Sequence, residues 1–201
     1  MSGSMGKLIK ISKEGVRNTR IEHLAEYVSY SGEDFLFSLP AGETEYRLYS
    51  YISSLFNGVT ILDIGTRNGN SAVALSSNEK NNVITYDIIE TSSYQKLKKH
   101  NIELIVGDFT QSGIDFSNIP VIMIDVDPHD GSQEKVMFEY LESIGWEGLV
   151  ILDDTRRDMW PRIAEFIDSI KYIVHDVTDI GHFSGTAIVE FGSKYKVEVT
   201  D

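Results

Sequence analysis

Six aspartates and two histidines carry the chemistry this sequence offers. Asp63, Asp87, Asp108, Asp125 and the pair Asp153-Asp154 each close a short apolar run: TILD, ITYD, LIVGD, VIMID and VILDD. Runs of that length between turn residues read as strands buried on both faces. If the strands are parallel, all these acids arrive at one edge of one sheet. Gathered carboxylate oxygens suit a hard divalent ion such as Mg²⁺, which keeps waters that substrate hydroxyls can replace. The metal set expected on this basis is Asp125, Asp153 and Asp154. His129 follows four residues after Asp125, in DVDPHDG. Its ordinary pKa of about 6.5 suits proton abstraction near neutrality, so it is the first candidate general base. Asp127 is its rival, as a fourth ligand or as the residue that orients His129. His182, in GHFSG, is a second candidate base or a substrate contact. Plainer readings stand beside these: Asp153-Asp154 as a helix cap, His129 as a turn residue, His182 and Phe183 as hairpin residues.

The elements that must position these groups alternate in type. Strands are predicted at 59–64, 83–86, 102–106, 119–124, 148–152, 172–178 and 186–191. Helices are predicted at 20–30, 43–56, 71–77, 92–100, 132–144 and 160–170. Residues 7–12 form a short strand or an arm, and breakers at Gly32 and Pro40-Ala41-Gly42 isolate FLFSL. Alternation of strands and helices implies a doubly wound, Rossmann-like α/β domain with a mainly parallel sheet. The last two strands, with no helix between them, form an antiparallel hairpin. Ligands of such sheets bind beyond the carboxyl ends of the strands, near the switch in strand order. Trp146 and Trp160 read as core or helix-packing residues, Trp160 with the option of lining a sugar site. His23, His100 and His175 read as surface residues.

The stretch after the first of these strands narrows the ligand. In DIGTRNGNS an acid precedes the first glycine, and the glycines are spaced G-x-x-x-G rather than G-x-G-x-x-G. The acid would repel a pyrophosphate but could hold an ammonium, which disfavours a nicotinamide or flavin and suits S-adenosylmethionine. Gly65 allows a bend and a close approach, and Asn70 and Ser71 are N-cap candidates for the next helix. Asp87 is placed for ribose hydroxyls.

ILDIGTRNGNSAVAL, ITYDI, IVGDF, IMIDVDPHDG and GLVILDD, in this order, resemble a class I S-adenosylmethionine-dependent methyltransferase. With the acid pair, MWPRIAEFI and GHFSGTAIVEF, the chain is similar more narrowly to metal-dependent O-methyltransferases of small molecules and surface polysaccharides. The resemblance runs from about residue 43 to about residue 192. It implies a seven-stranded sheet of order 3-2-1-4-5-7-6 with strand 7 antiparallel. It also implies that Asp63, Gly65, Thr66, Gly69 and Ser71 serve the amino-acid end of the cofactor. Asp87 would take the ribose, Ile88 and Phe109 the adenine faces, and Asp108 the adenine amine. Asp125 borders the cofactor, and Glu45 and Tyr46 resemble an acid–aromatic pair that closes over it. Arg67 and Asn68 depart from the small residues usual in that loop.

Bulk properties set the outer bounds. The chain has 201 residues, 41% of them hydrophobic and 24% charged, which suits one domain. Residues 1–6 resemble an expression remnant and 7–57 an N-terminal extension of a domain spanning 7–201. The tag-like start and short tail leave open a piece of a larger enzyme. A net charge of −13 argues against nucleic-acid or anionic-membrane partners. The absence of cysteine excludes disulfides and thiolate chemistry and fits a reducing compartment, so a cytoplasmic location is expected. The expected activity is metal-assisted O-methylation of a sugar or glycan hydroxyl. A catechol-like or other small-molecule diol, and a non-catalytic ligand-binding domain, are the alternatives.

Overall fold

The computed structural model describes residues 6–28, 40–90 and 97–201, with the side chains of 40–43 outside the description. The chain runs β1 (Lys7–Ser12), α1 (Lys13–Arg17), a 3-10 turn at Glu22–Tyr27 and α2 (Pro40–Ser54). It continues through β2 (Thr60–Ile64), α3 (Asn70–Leu75), β3 (Asn82–Asp87), β4 (Ile102–Val106) and β5 (Val121–Ile124). Then come α4 (Ser132–Ser143), β6 (Gly148–Asp153), α5 (Pro161–Ser169), β7 (Ile173–Asp176), β8 (Thr186–Phe191) and β9 (Tyr195–Thr200).

Seven strands form one sheet in the order β4-β3-β2-β5-β6-β8-β7. Numbered within the sheet this is 3-2-1-4-5-7-6, as expected. Only β8 runs antiparallel, to β6 on one side and β7 on the other. The strand order reverses between β2 and β5, which places the switch point there.

Alternation along each strand divides the interior into two layers. Ile61, Val121, Met123, Leu149, Ile151 and Ile188 pack with α2, α3 and the segment before them, through Tyr49, Ile52, Val73 and Ile11. Leu62, Ile64, Ile122, Ile124, Val150, Leu152 and Val189 pack the other way, with Phe138 and Leu141 of α4. Trp146 is buried in this second layer and donates from Nε1 to the Ile119 carbonyl at 2.8 Å.

Several expectations change. The strand β9 was not foreseen, although Tyr195, Val197 and Val199 alternate with polar residues, which is a strand pattern. It pairs in parallel with β1, Lys7 opposite Tyr195 through Ser12 opposite Thr200, so residues 7–12 are a strand. The helix expected at 20–30 is only a 3-10 turn at Glu22–Tyr27, because the apolar stretch is too short to sustain α-helical turns, and the short α1 before it was not foreseen; residues 29–30 lie outside the description. Pro40 does not break the chain but opens α2, as proline can at the first helical position. Residues 97–99 are not helical, and 91–96, with FLFSL at 35–39, lie outside the described residues. His175 is not a free surface residue: Nε2 lies 3.0 Å from the buried carboxylate of Glu190. Among the described residues, no helix is long and apolar enough to cross a membrane.

Candidate active site

The glycine loop sits where β2 ends. Gly65 has φ +101°, and a Cβ there would come within 1.8 Å of the Asp125 carbonyl oxygen, so the requirement for glycine is a close approach of β2 to β5. The backbone N–H groups of Gly65 and Thr66 both donate to the Tyr86 carbonyl, tying the loop to β3. Gly69, at φ +82°, is the residue that caps α3; Asn70 and Ser71, expected as caps, are its first two residues. No side chain of this cap bonds the helix.

Asp63 points inward from β2 and is fully buried. Thr85 Oγ1 donates to its Oδ2 at 2.6 Å, and the Thr85 and Thr66 hydroxyls are 2.5 Å apart. Burial pushes the Asp63 carboxyl up to about 6, against the opposing effect of the Thr85 hydrogen bond. Asp63 therefore supports the loop from beneath.

Above the loop lies a cavity of about 560 Å³, within the range of small-molecule sites. It opens beyond the carboxyl ends of β2, β3, β4 and β5, at the switch point. Gly65, Asp87, Ile88, Asp108, Phe109 and Asp125 line it, as do Asp127 and His129. Glu45, Tyr46, Asp63, Thr66, Gly69 and Ser71 are not among its lining residues. The sequence reading missed Tyr86, Ile89, Gln133 and Met137 as lining residues. For Gln133 and Met137 the signal was available, because an i, i+4 pair in the first turns of α4 shares one helix face.

The acids on the cavity wall are held by their own loops. Asp87 accepts from the backbone N–H of Arg67 at 2.9 Å and of Ile89 at 3.1 Å. Asp108 caps a 3-10 turn, accepting from Thr110 N at 2.9 Å. Phe109 is buried between Tyr86 and Tyr140, with ring centroids 6.3 and 5.7 Å away.

Two acid–histidine clusters stand on the other side of the switch point. In the first, His129 Nδ1 lies 2.9 Å from Asp154 Oδ2 and 4.0 Å from Asp125 Oδ1, and its Nε2 lies 3.1 Å from Asp127 Oδ1. The ring of Trp160 lies 4.8 Å from that of His129. His129 and Asp154 both have left-handed backbone, at φ +57° and +56°. In the second, Glu45, Asp153 and His182 meet. Tyr49 Oη donates to Glu45 Oε1 at 2.6 Å, His182 Nδ1 is 3.6 Å from Asp153 Oδ1, and the Ser184 hydroxyl bonds His182 Nδ1.

The pair Asp153-Asp154 is thus split. Consecutive residues at a strand end point to opposite faces, so Asp153 joins α2 on the first layer and Asp154 turns to the α4 loop. Asp125, Asp153 and Asp154 do not converge as the single set expected; ligand atoms within 4.8 Å of one another come from Asp125, His129 and Asp154, and separately from Glu45, Asp153 and His182. Nor does the pair cap α5, whose N-cap is Trp160.

Burial, with Asp153 and Asp154 nearby, holds the Asp125 carboxyl well above the usual range. Burial and Asp153 do the same to Glu45. For His182 burial opposes protonation, but Asp153 and Glu45 outweigh it and push the imidazole up to about 9. An imidazole protonated at neutral pH is a donor rather than a base.

No protein-family profile and no curated protein sequence matches the chain. Solved structures do. The SAH-bound methyltransferase of Podospora anserina is similar at TM-score 0.60 and 14% identity, over 89% of this chain and 92% of that one. A candidate caffeoyl-CoA O-methyltransferase of Staphylococcus aureus is similar at TM-score 0.56 and 21% identity, over 88% and 94%. A precorrin-6y C5,15-methyltransferase of Geobacter metallireducens is similar at TM-score 0.56 and 11% identity, over 83% and 94%. With its strand order and single antiparallel strand, the chain has the class I S-adenosylmethionine-dependent methyltransferase fold.

Proposed function

We propose that this chain transfers a methyl group from S-adenosylmethionine to a hydroxyl oxygen of a sugar or glycan, with a divalent cation, Mg²⁺ by preference, assisting. The observation that carries this reading is a cavity at the switch point that has Asp87 and Phe109 on its wall and also reaches Asp125 and His129. Cofactor and acceptor machinery would then meet in one space.

The residues fit the cofactor. Asp87 stands where a ribose diol would be held, Ile88, Ile89 and Phe109 offer apolar surface to a base, and Tyr86 Oη is buried without a hydrogen-bond partner in the cavity wall. They also fit a hard cation, since Asp125 and Asp154 bring two carboxylates together, with His129 beside them as base rather than ligand. When bound, the cofactor supplies an electrophilic methyl group, and the cation lowers the pKa of an acceptor hydroxyl.

The chain's own residues do the rest. Asp63, Thr85 and Thr66 brace the loop that forms the cavity floor. With its Nδ1 proton donated to Asp154, His129 keeps Nε2 free to take the acceptor's proton. Asp127, almost fully exposed, lies 3.1 Å from that nitrogen and gives way to the acceptor hydroxyl when it binds. Trp160 supports the His129 ring and gives a flat apolar face against which a sugar or catechol ring could lie.

Isothermal titration tests the cofactor assignment: S-adenosylhomocysteine should bind with micromolar-class affinity, and no detectable heat would overturn it. A transfer assay over sugar and catechol acceptors, with and without chelator, tests the rest. Turnover should need the cation, and full activity in excess chelator would remove the metal from the reaction.

A further inference from the structure

The second cluster is built differently from the buried acid on β8. Glu190 is equally buried, at 4% exposure, but it accepts from Val197 N, from Lys196 and from His175. Asp63 has Thr85. Asp153, at 8% exposure, has an Oδ1 atom that is buried and receives no hydrogen bond from the described residues; His182 Nδ1 is 3.6 Å away. Glu45, at 6% exposure, keeps Oε1 for the Tyr49 hydroxyl and lies close enough to Asp153 for that carboxylate to disfavour its charge. Desolvating two carboxylates side by side costs several kcal/mol unless opposite charge is brought to them. Among the described residues, no Lys or Arg forms an ion pair with either carboxylate, and His182 is the cation beside them.

We infer that Glu45, Asp153 and His182 form a second divalent-cation site, separate from the one formed by Asp125 and Asp154. Three ligand atoms within 4.8 Å of one another, from α2, the end of β6 and the turn before β8, supply two carboxylates and an imidazole. That mixed oxygen–nitrogen set suits Mn²⁺ or Zn²⁺ better than Mg²⁺, which prefers an all-oxygen shell. Binding displaces the His182 proton and gives Asp153 Oδ1 the positive partner it lacks. Its effect on the fold is a tether, because the three ligands join segments more than a hundred residues apart in the chain. The site does not depend on the methyl-transfer reading, since none of its residues lines the cofactor cavity.

Mn²⁺ binding to the full chain, counted by equilibrium dialysis with electron paramagnetic resonance of the free ion, tests this. The wild type should hold two equivalents, and Glu45→Gln and His182→Gln should each hold one. Asp154→Asn should also hold one, and should still gain several degrees in Tm on adding Mn²⁺, a gain that Asp154→Asn/Glu45→Gln loses. No bound Mn²⁺ in the wild type overturns the inference, as does a single equivalent that Glu45→Gln and His182→Gln both keep. Two equivalents retained in both Glu45→Gln and His182→Gln would overturn it as well. Neither result would touch cofactor binding, which the titration with S-adenosylhomocysteine reads separately.

Discussion

The two sides of the switch point use the same sequence signature for opposite ends. On the β2–β3–β4 side, acids at strand ends are satisfied by the chain around them: Asp87 by Arg67 N and Ile89 N, Asp108 by Thr110 N, Asp63 by Thr85. On the β5–β6 side, Asp125 and Asp154 face the imidazole of His129 and Asp153 faces that of His182, with few backbone donors among the described residues. The first arrangement shapes a pocket, because a carboxylate that is already bonded fixes a loop. The second concentrates charge that only protons or cations can balance. An acid at a strand end is therefore not one feature but two, decided by whether the next few residues turn their N–H groups back toward it.

The comparison is sharpest where it predicts unlike losses. His129→Gln keeps an amide near Asp154 but cannot act as a base. Its kcat should fall by about 10²–10⁴ while S-adenosylhomocysteine affinity stays within about twofold, measured by single-turnover transfer and calorimetry. Equal losses in both would merge the two sides into one site.

Asp63→Asn tests the satisfied side through stability. The native state keeps the Asp63 proton up to about pH 6, whereas the unfolded chain releases it near 3.8. The native state is thus favoured at low pH, and its advantage declines as pH rises from about 4 to about 6, by up to about 3 kcal/mol. Asparagine, which can still accept from Thr85, should remove that decline; denaturant titrations at pH 4.5 and 7.5 should show wild-type and variant stabilities diverging with rising pH. Parallel curves would mean that Asp63 titrates alike in both states.

The smallest effect is expected at Asp87. Asp87→Ala should weaken S-adenosylhomocysteine binding by about 10- to 100-fold, or about 1.4–2.8 kcal/mol, with kcat at saturating cofactor nearly unchanged. A drop in kcat with affinity preserved would place Asp87 on the chemical side.

Much of this division could be read from the residues. The buried runs and their terminal acids gave the sheet and its edge, because a strand covered on both faces has an unmistakable composition. His129 could be singled out from DVDPHDG, but its partner Asp154 could not, since their contact is made between two loops. The split of Asp153 from Asp154 was available in principle from strand alternation, yet only the position of Glu45 on α2 gives it meaning. The β1–β9 pair was hidden because a parallel ladder between residues 7–12 and 195–200 leaves no local trace.

The left-handed backbone at His129 and Asp154 has a consequence for how variants will read. Histidine and aspartate tolerate that conformation better than most side chains, but glycine tolerates it best. A glycine at either position would relax the main chain while erasing the 2.9 Å contact between the two side chains. Activity and thermal stability can therefore move in opposite directions here, and a more robust protein would be the less capable one.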